Sequence, residues 1–252
     1  MNLKPILTGD NSPTLFSERF GEHYHSTSMG AHSESLHKHI LPPLLVHPEW
    51  LNRSKIKILD ICFGLGYNTL ATLALYRQKG FKGIIEVHSP EMDEELLEGL
   101  LYFDYPLELG ETRSFLYELI QKKRVERDGV ILELFVGDAR EYLRMLEGGF
   151  DIVYQDAFSP VKNPLLWTVD YFSDLRAILV EEGVVTTYTQ SSAVRYSAYL
   201  AGFQVYAYEN GIDRGGTLFS PSSLPLKRID LEEKRLNNPS LKALRDEDYC
   251  VN

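Results

Sequence analysis

Four carboxylates follow four apolar runs in this chain. Asp60 closes Lys57-Ile-Leu-Asp60, Glu91 comes after the run 84–87, Asp138 after 131–136, and Asp156 after 150–154. In an open α/β sheet, the crevice outside the carboxyl ends of the strands is where ligands bind. The last acid opens the most informative stretch, Asp156-Ala-Phe158-Ser-Pro160-Val-Lys-Asn163-Pro164-Leu-Leu-Trp167. Two prolines stiffen this exit loop, and Phe158 and Trp167 flank it with flat surface for stacking. An acid, a rigid loop and aromatics suit a small planar group that carries an amine. Each acid taken alone also fits a helix N-cap.

The first strand runs into Cys62-Phe-Gly64-Leu-Gly66-Tyr-Asn68. Glycine lets the backbone approach a ligand closely, and the helix that follows presents free N–H groups. As a dinucleotide fingerprint the run is defective, because no third glycine follows. Asp60 would also repel a pyrophosphate and favours a ligand with a positive amino group. Glu91 is placed to take both hydroxyls of a ribose, and Asp138, with Ala139 beside it, to accept from an adenine amine. The ligand outlined has an amino acid end, a ribose and an adenine: S-adenosylmethionine or its decarboxylated relative. Asp60, Gly64, Gly66, Asn68, Glu91, Asp138, Ala139 and Asp156 form the expected cofactor set.

Strand and helix patterns alternate from Lys55 onward, which implies a mostly parallel sheet with helices on both faces. The expected strands are 57–60, 84–87, 131–136, 150–154, 183–188, 204–208 and 217–220. The helices expected between them are 64–78, 93–101, 139–146, 171–179 and 193–201. The fold class is therefore α/β with a small N-terminal lobe, and the family that the motifs of this chain resemble implies a Rossmann-like class I methyltransferase. Residues 1–50 form the lobe, 51–224 the methyltransferase domain and 225–252 a charged tail that wraps the surface or is partly disordered. In the lobe, 14–28 alternates like a hairpin. Residues 30–45 read as a helix, with Leu36, Ile40 and Leu44 on one face. Folded over the sheet edge, Tyr24, Met29 and Glu34 would close the cofactor site.

Six of the seven histidines lie in the first 50 residues. His32, His37 and His39 lack a consistent helical face and a tidy third ligand, so they read as surface or capping residues and no metal is expected. Cys62 and Cys250 make no disulfide framework. The net charge of −10 argues against a general nucleic-acid binder, while leaving room for a local basic face. No apolar run is long enough to span a bilayer and no signal peptide is evident, so the expectation is a cytoplasmic protein without a membrane partner or an obligate protein partner.

The motifs Asp60–Gly66, Gly137-Asp138 and above all 156–167 resemble the methyltransferase half of the MnmC family, which completes methylaminomethyl-uridine at the tRNA wobble position. Gly30-Ala-His-Ser-Glu34-Ser35, Thr187-Tyr188 and Ala201-Gly-Phe203 fit the same pattern, over residues 14–220 in all. The resemblance implies N-methylation of 5-aminomethyl-(2-thio)uridine, with S-adenosylmethionine as cofactor and the tRNA anticodon stem-loop as partner. Two departures stand out. The chain ends before the flavin-dependent domain of the bifunctional enzymes could begin, so no FAD is expected. Where the family often carries a basic segment, this chain has Gly211-Ile-Asp213-Arg214-Gly-Gly216.

Asp156 is expected to orient the acceptor amine and to help deprotonate it, with Phe158 and Trp167 stacking the flipped uracil or walling the pocket. Two rival readings remain. One is a spermidine-synthase-like aminopropyltransferase, which also uses acids at these places but carries a glycine-richer loop. The other is a non-catalytic cofactor-binding adaptor of an RNA-modification complex.

Overall fold

The computed structural model describes residues 4–212 and 214–249. Asp213 and Cys250, both singled out above, lie outside the described residues.

The N-terminal segment begins with two short antiparallel pairs. β1 (Ile6–Leu7) pairs with β2 (Pro13–Thr14), and β3 (Phe16–Ser17) with β4 (Glu22–His23). The expected helix over 30–45 is broken into three parts: α1 (Ala31–Glu34), a π-helical turn over Ser35–Ile40, and α2 (Leu41–Val46). Pro42 and Pro43 stand in the first turn of α2.

Eight strands build the central sheet: β5 (Lys55–Ile61), β6 (Ile84–Glu91), β7 (Arg124–Arg127), β8 (Val130–Val136), β9 (Phe150–Gln155), β10 (Leu179–Thr187), β11 (Gln204–Tyr208) and β12 (Gly216–Ser220). Their order is β11-β12-β10-β9-β5-β6-β8-β7. The five from β10 to β8 run parallel; β12, β11 and β7 are antiparallel to their neighbours. The chain leaves β5 toward β6 and later returns on its other side with β9, so the strand order reverses there. Such a switch point opens a crevice at the carboxyl ends.

Alternate strand residues feed two cores. Ile56, Ile58, Val87 and Leu132 pack against α3 (Tyr67–Gln78), α4 (Glu94–Gly99), α5 (Arg113–Lys122) and the N-terminal segment. Leu59, Ile61, Val153, Val185 and Phe219 pack against α6 (Ala139–Met145), α7 (Val169–Ile178) and α8 (Ser192–Leu200). The periodicity reading assigns no element between 102 and 130, yet α5 and β7 occupy much of it. Phe115, Leu116, Leu119 and Ile120 give α5 its buried stripe. The tail folds back on the body: α9 (Leu231–Asn237) buries Leu231, and Asp246 meets Arg140 at 2.6 Å and Thr168 at 2.7 Å.

Candidate active site

Strand register sets the depth of each acid. Asp60 pairs with Tyr154, whereas Asp156 lies two residues beyond that level. Asp60 is thus sealed inside the sheet, and Asp156 emerges at the rim. Glu91 ends β6 opposite Val136, which delivers Gly137-Asp138 beside it. The loop after β5 turns sharply through three left-handed residues, Cys62 (φ 65), Gly64 (φ 53) and Gly66 (φ 74). At Gly66 a Cβ would come within 2.7 Å of the Phe63 ring, so glycine is required there.

These elements enclose a cavity of about 420 Å³ at the switch point, within the usual range for a small-molecule site. Of the expected residues, Tyr24, Glu34, Gly64, Asn68, Glu91, Asp138, Ala139, Asp156 and Phe158 line it. Met29, Asp60, Gly66 and Trp167 do not. Asp60 instead works from behind. It accepts from Thr69 Oγ1 at 2.8 Å and from Asn68 Nδ2 at 3.2 Å, and Asn68 Nδ2 also donates to Asp156 Oδ2 at 2.9 Å. Trp167 is wholly buried rather than free to stack a base. Its Nε1 donates to Phe158 O at 2.9 Å and its ring meets Tyr188 edge-on. It fastens the loop from beneath. Tyr188 OH, donating to Ala157 O, and Gln155 Nε2, donating to Leu166 O, do the same.

Glu91 combines a cap and an open site. Oε2 accepts from Gly64 N at 2.8 Å, and Oε1 from Met92 and Asp93 N at 2.8 and 2.9 Å. Two carboxylate oxygens offer about four acceptor positions, so one remains for a ligand hydroxyl. Burial pushes the group's pKa up despite those donors. Asp138 caps α6, with Oδ1 accepting from Arg140 and Glu141 N. The capping and ligand-facing readings thus coexist in the same side chains.

Around Asp156 the charges are tightly arranged. Burial alone would push its pKa up, but His39, then His25 and the Asn68 hydrogen bond, outweigh it and hold the carboxyl below its ordinary 3.8. Glu34, which accepts from Ser26 N at 2.7 Å, is raised from 4.5 to about 7 by burial and by the Asp156 charge. Asp60 is raised from 3.8 to about 7, chiefly by burial. Burial depresses His25 to about 4, so it is neutral at pH 7.

His39 departs from expectation: it is buried, not a surface group, and its Nε2 stands 3.2 Å from Asp156 Oδ1. His25, on which the sequence reading made no assignment, is buried as well. One signal was available: His39 lies three residues after Leu36, next to Ile40, on the expected apolar face. No cluster of three metal-binding side chains occurs among the described residues. Glu22 is the other unanticipated residue. It accepts from Ser159 N at 3.1 Å and Ser159 Oγ at 2.5 Å, which ties β4 to the loop after Asp156. Phe20 stacks on Phe158 with centroids 4.4 Å apart, and Tyr24 leans on the same ring.

A crystal structure of MnmC2 from Aquifex aeolicus matches the whole chain and 81% of its own, with a TM-score of 0.86 and 34% identity. This chain belongs to the MnmC methyltransferase family. A family model described as S-adenosyl-L-methionine-dependent methyltransferase matches residues 110–216, the segment holding Asp138, Asp156 and the 156–167 loop. An uncharacterised protein of Methanocaldococcus jannaschii is 30% identical over 96% of this chain and 67% of its own length. The bifunctional tRNA 5-methylaminomethyl-2-thiouridine biosynthesis protein MnmC of Ralstonia nicotianae is 30% identical over 80% of this chain. The match covers 31% of that longer protein. As a member of this family the chain is an S-adenosylmethionine-dependent methyltransferase with the class I fold. Its site fits that cofactor: Asn68 Oδ1 is buried without a hydrogen-bond partner, and it borders a cavity edged by Glu91 and Asp138. No helix among the described residues is long and apolar enough to cross a membrane.

Proposed function

We propose that this enzyme N-methylates the primary amine of 5-aminomethyl-(2-thio)uridine at the wobble position of tRNA. The observation that carries the reading is an ionised Asp156 at the cavity wall, held by Asn68 and faced by His39. S-adenosylmethionine supplies an electrophilic methyl group. The protein's part is to bind the two substrates in line and to manage the amine's proton.

Glu91 takes a ribose hydroxyl, and Asp138 with Ala139 receives the adenine edge. Gly64 lets the backbone come close, while Gly66 holds the turn. The orphaned Asn68 Oδ1 and the nearby Glu34 suit an amino acid end with its ammonium group. Asp60 acts through Asn68, and Met29 supports the lobe from outside the cavity. Asp156 accepts a hydrogen bond from the substrate amine and aims it. Phe158, braced by Phe20 and Tyr24, offers the stacking surface for the extruded uracil, and Trp167 holds that surface in place.

Residues 1–50 form the lobe that closes the site over the 51–224 methyltransferase domain, and 225–252 are the charged tail. Arg19 and Arg214 border the cavity mouth and suit the phosphates of an anticodon stem-loop, which compensates in part for the missing basic segment. The reaction itself requires neither FAD nor a metal. A soluble tRNA acceptor fits a cytoplasmic setting.

Labelled S-adenosylmethionine with tRNA bearing aminomethyl-uridine tests this reading against putrescine with the decarboxylated cofactor. Methylated tRNA is expected. Spermidine, or no product from either pair, overturns it.

A further inference from the structure

The catalytic reading leaves a proton unplaced. An alkylamine is mainly protonated near pH 7 and has no lone pair for attack. A carboxylate beside it favours the ammonium form, so Asp156 by itself works against the deprotonation it is meant to assist. A second group behind Asp156 is required.

His39 occupies that place. It is fully buried and does not line the cavity, so it reaches the substrate only through Asp156. Its Nδ1 is 2.9 Å from Thr186 Oγ1, and that hydroxyl donates in turn to Val153 O at 3.5 Å. With the neutral ring's proton on Nδ1, donated to Thr186 Oγ1, Nε2 is the nitrogen left to receive one. Nε2 is 3.2 Å from Asp156 Oδ1. A proton arriving between them completes a charge-assisted hydrogen bond. The other ionisable groups facing His39 are Asp60 on β5, Glu34 on α1 and His25 after β4, with the Tyr154 ring of β9 at 5.8 Å. The π-helical turn over Ser35–Ile40 brings the ring here. Such turns widen the helix by one residue and recur at functional sites.

Resting on the amine-methylation reading above, we propose that His39 is a positioning residue that aims Asp156 and takes up the proton lost by the substrate ammonium. The ammonium gives one proton through the Asp156 carboxylate to His39 Nε2. The freed nitrogen lone pair forms the N–CH3 bond as the S–CH3 bond breaks. The positive charge of the sulfonium passes to the methylated ammonium product, and S-adenosylhomocysteine leaves neutral. The imidazolium returns its proton to water after product release.

The test compares wild type, His39→Gln and Glu34→Gln in single-turnover methyl transfer to tRNA bearing aminomethyl-uridine, from pH 6 upward. Glutamine keeps a polar side chain facing Asp156 but cannot take up a proton. His39→Gln is expected to lose about 100-fold at pH 7 and to regain about tenfold per pH unit as free amine accumulates. Its affinity for S-adenosylhomocysteine should stay within about threefold of wild type, since His39 does not border the cavity. A loss of equal size at every pH overturns the proposal, as does pH-dependent recovery in Glu34→Gln alone.

A measurement on the wild type covers the case in which His39→Gln fails to fold. In histidine-labelled protein bound to S-adenosylhomocysteine, adding the aminomethyl-uridine stem-loop should move the His39 imidazole nitrogen signals to the protonated form. Unchanged signals with the stem-loop bound overturn the proposal. Absence of transfer by wild type at any pH would instead defeat the substrate reading itself.

Discussion

Asn68 and Asp156 are joined by a 2.9 Å hydrogen bond whose donor nitrogen also reaches Asp60 at 3.2 Å. One amide thus uses both N–H groups to connect the two carboxylates. Replacing Asn68 with Leu removes both donors and leaves the buried Asp60 and the half-buried Asp156 underpaired. The expected cost is about 2–4 kcal/mol, read from urea unfolding. An unchanged midpoint would show that the bridge contributes nothing.

For Asp156 the informative change is Asp156→Asn, which keeps shape and removes charge. Turnover should fall by about 100-fold or more. Binding of S-adenosylhomocysteine, measured by calorimetry, should stay within a few-fold. Near-normal turnover would remove Asp156 from the chemistry.

Glu34 predicts a pH signature. Its folded-state pKa of about 7 lies above the ordinary 4.5, so between these values the folded state binds more protons than the unfolded one. Its contribution to stability therefore declines as pH rises through that window. His25, depressed to about 4, acts in the opposite sense below its ordinary 6.5. Comparing Glu34→Gln with wild type isolates Glu34: the variant's relative Tm should climb from pH 4.5 to 7 and then level off. Parallel Tm curves would contradict this.

The two aromatics of the 156–167 loop should separate cleanly. Trp167→Ala empties a fully buried site and should cost about 3–5 kcal/mol in stability. Phe158→Ala should leave stability nearly intact and raise the KM for tRNA by about tenfold, the scale of one lost base-stacking contact. A Phe158 variant that unfolds while the Trp167 variant stays stable would reverse the assignment.

Much of the site was legible because acids at strand ends and glycines at turns are local signals. Asp156, Glu91, Asp138 and Gly64 meet at one cavity as their strand positions imply. Trp167 was not legible in the same way. Its flat ring suits stacking on a base and packing in a core equally, and only burial separates the two. Nor did the α-helical period reveal the π-turn, since one inserted residue shifts every later side chain around the axis. The stripe α5 presents was readable from Phe115, Leu116, Leu119 and Ile120, but no acid or glycine signal drew attention to it.

The amino-acid order by itself determined the alternating architecture, the carboxylates at the strand ends and the family to which they belong. These follow from periodicity, turn chemistry and short motifs, all properties of neighbours in the chain. Tertiary structure alone decided that Asp60 lies buried while Asp156 emerges, because depth is set by register between strands about 100 residues apart. It alone decided that His39, 117 positions before Asp156, stands against it. Burial and charge neighbourhood are properties of the packed whole, and they turn an acid at a strand end into one held ionised beside a histidine.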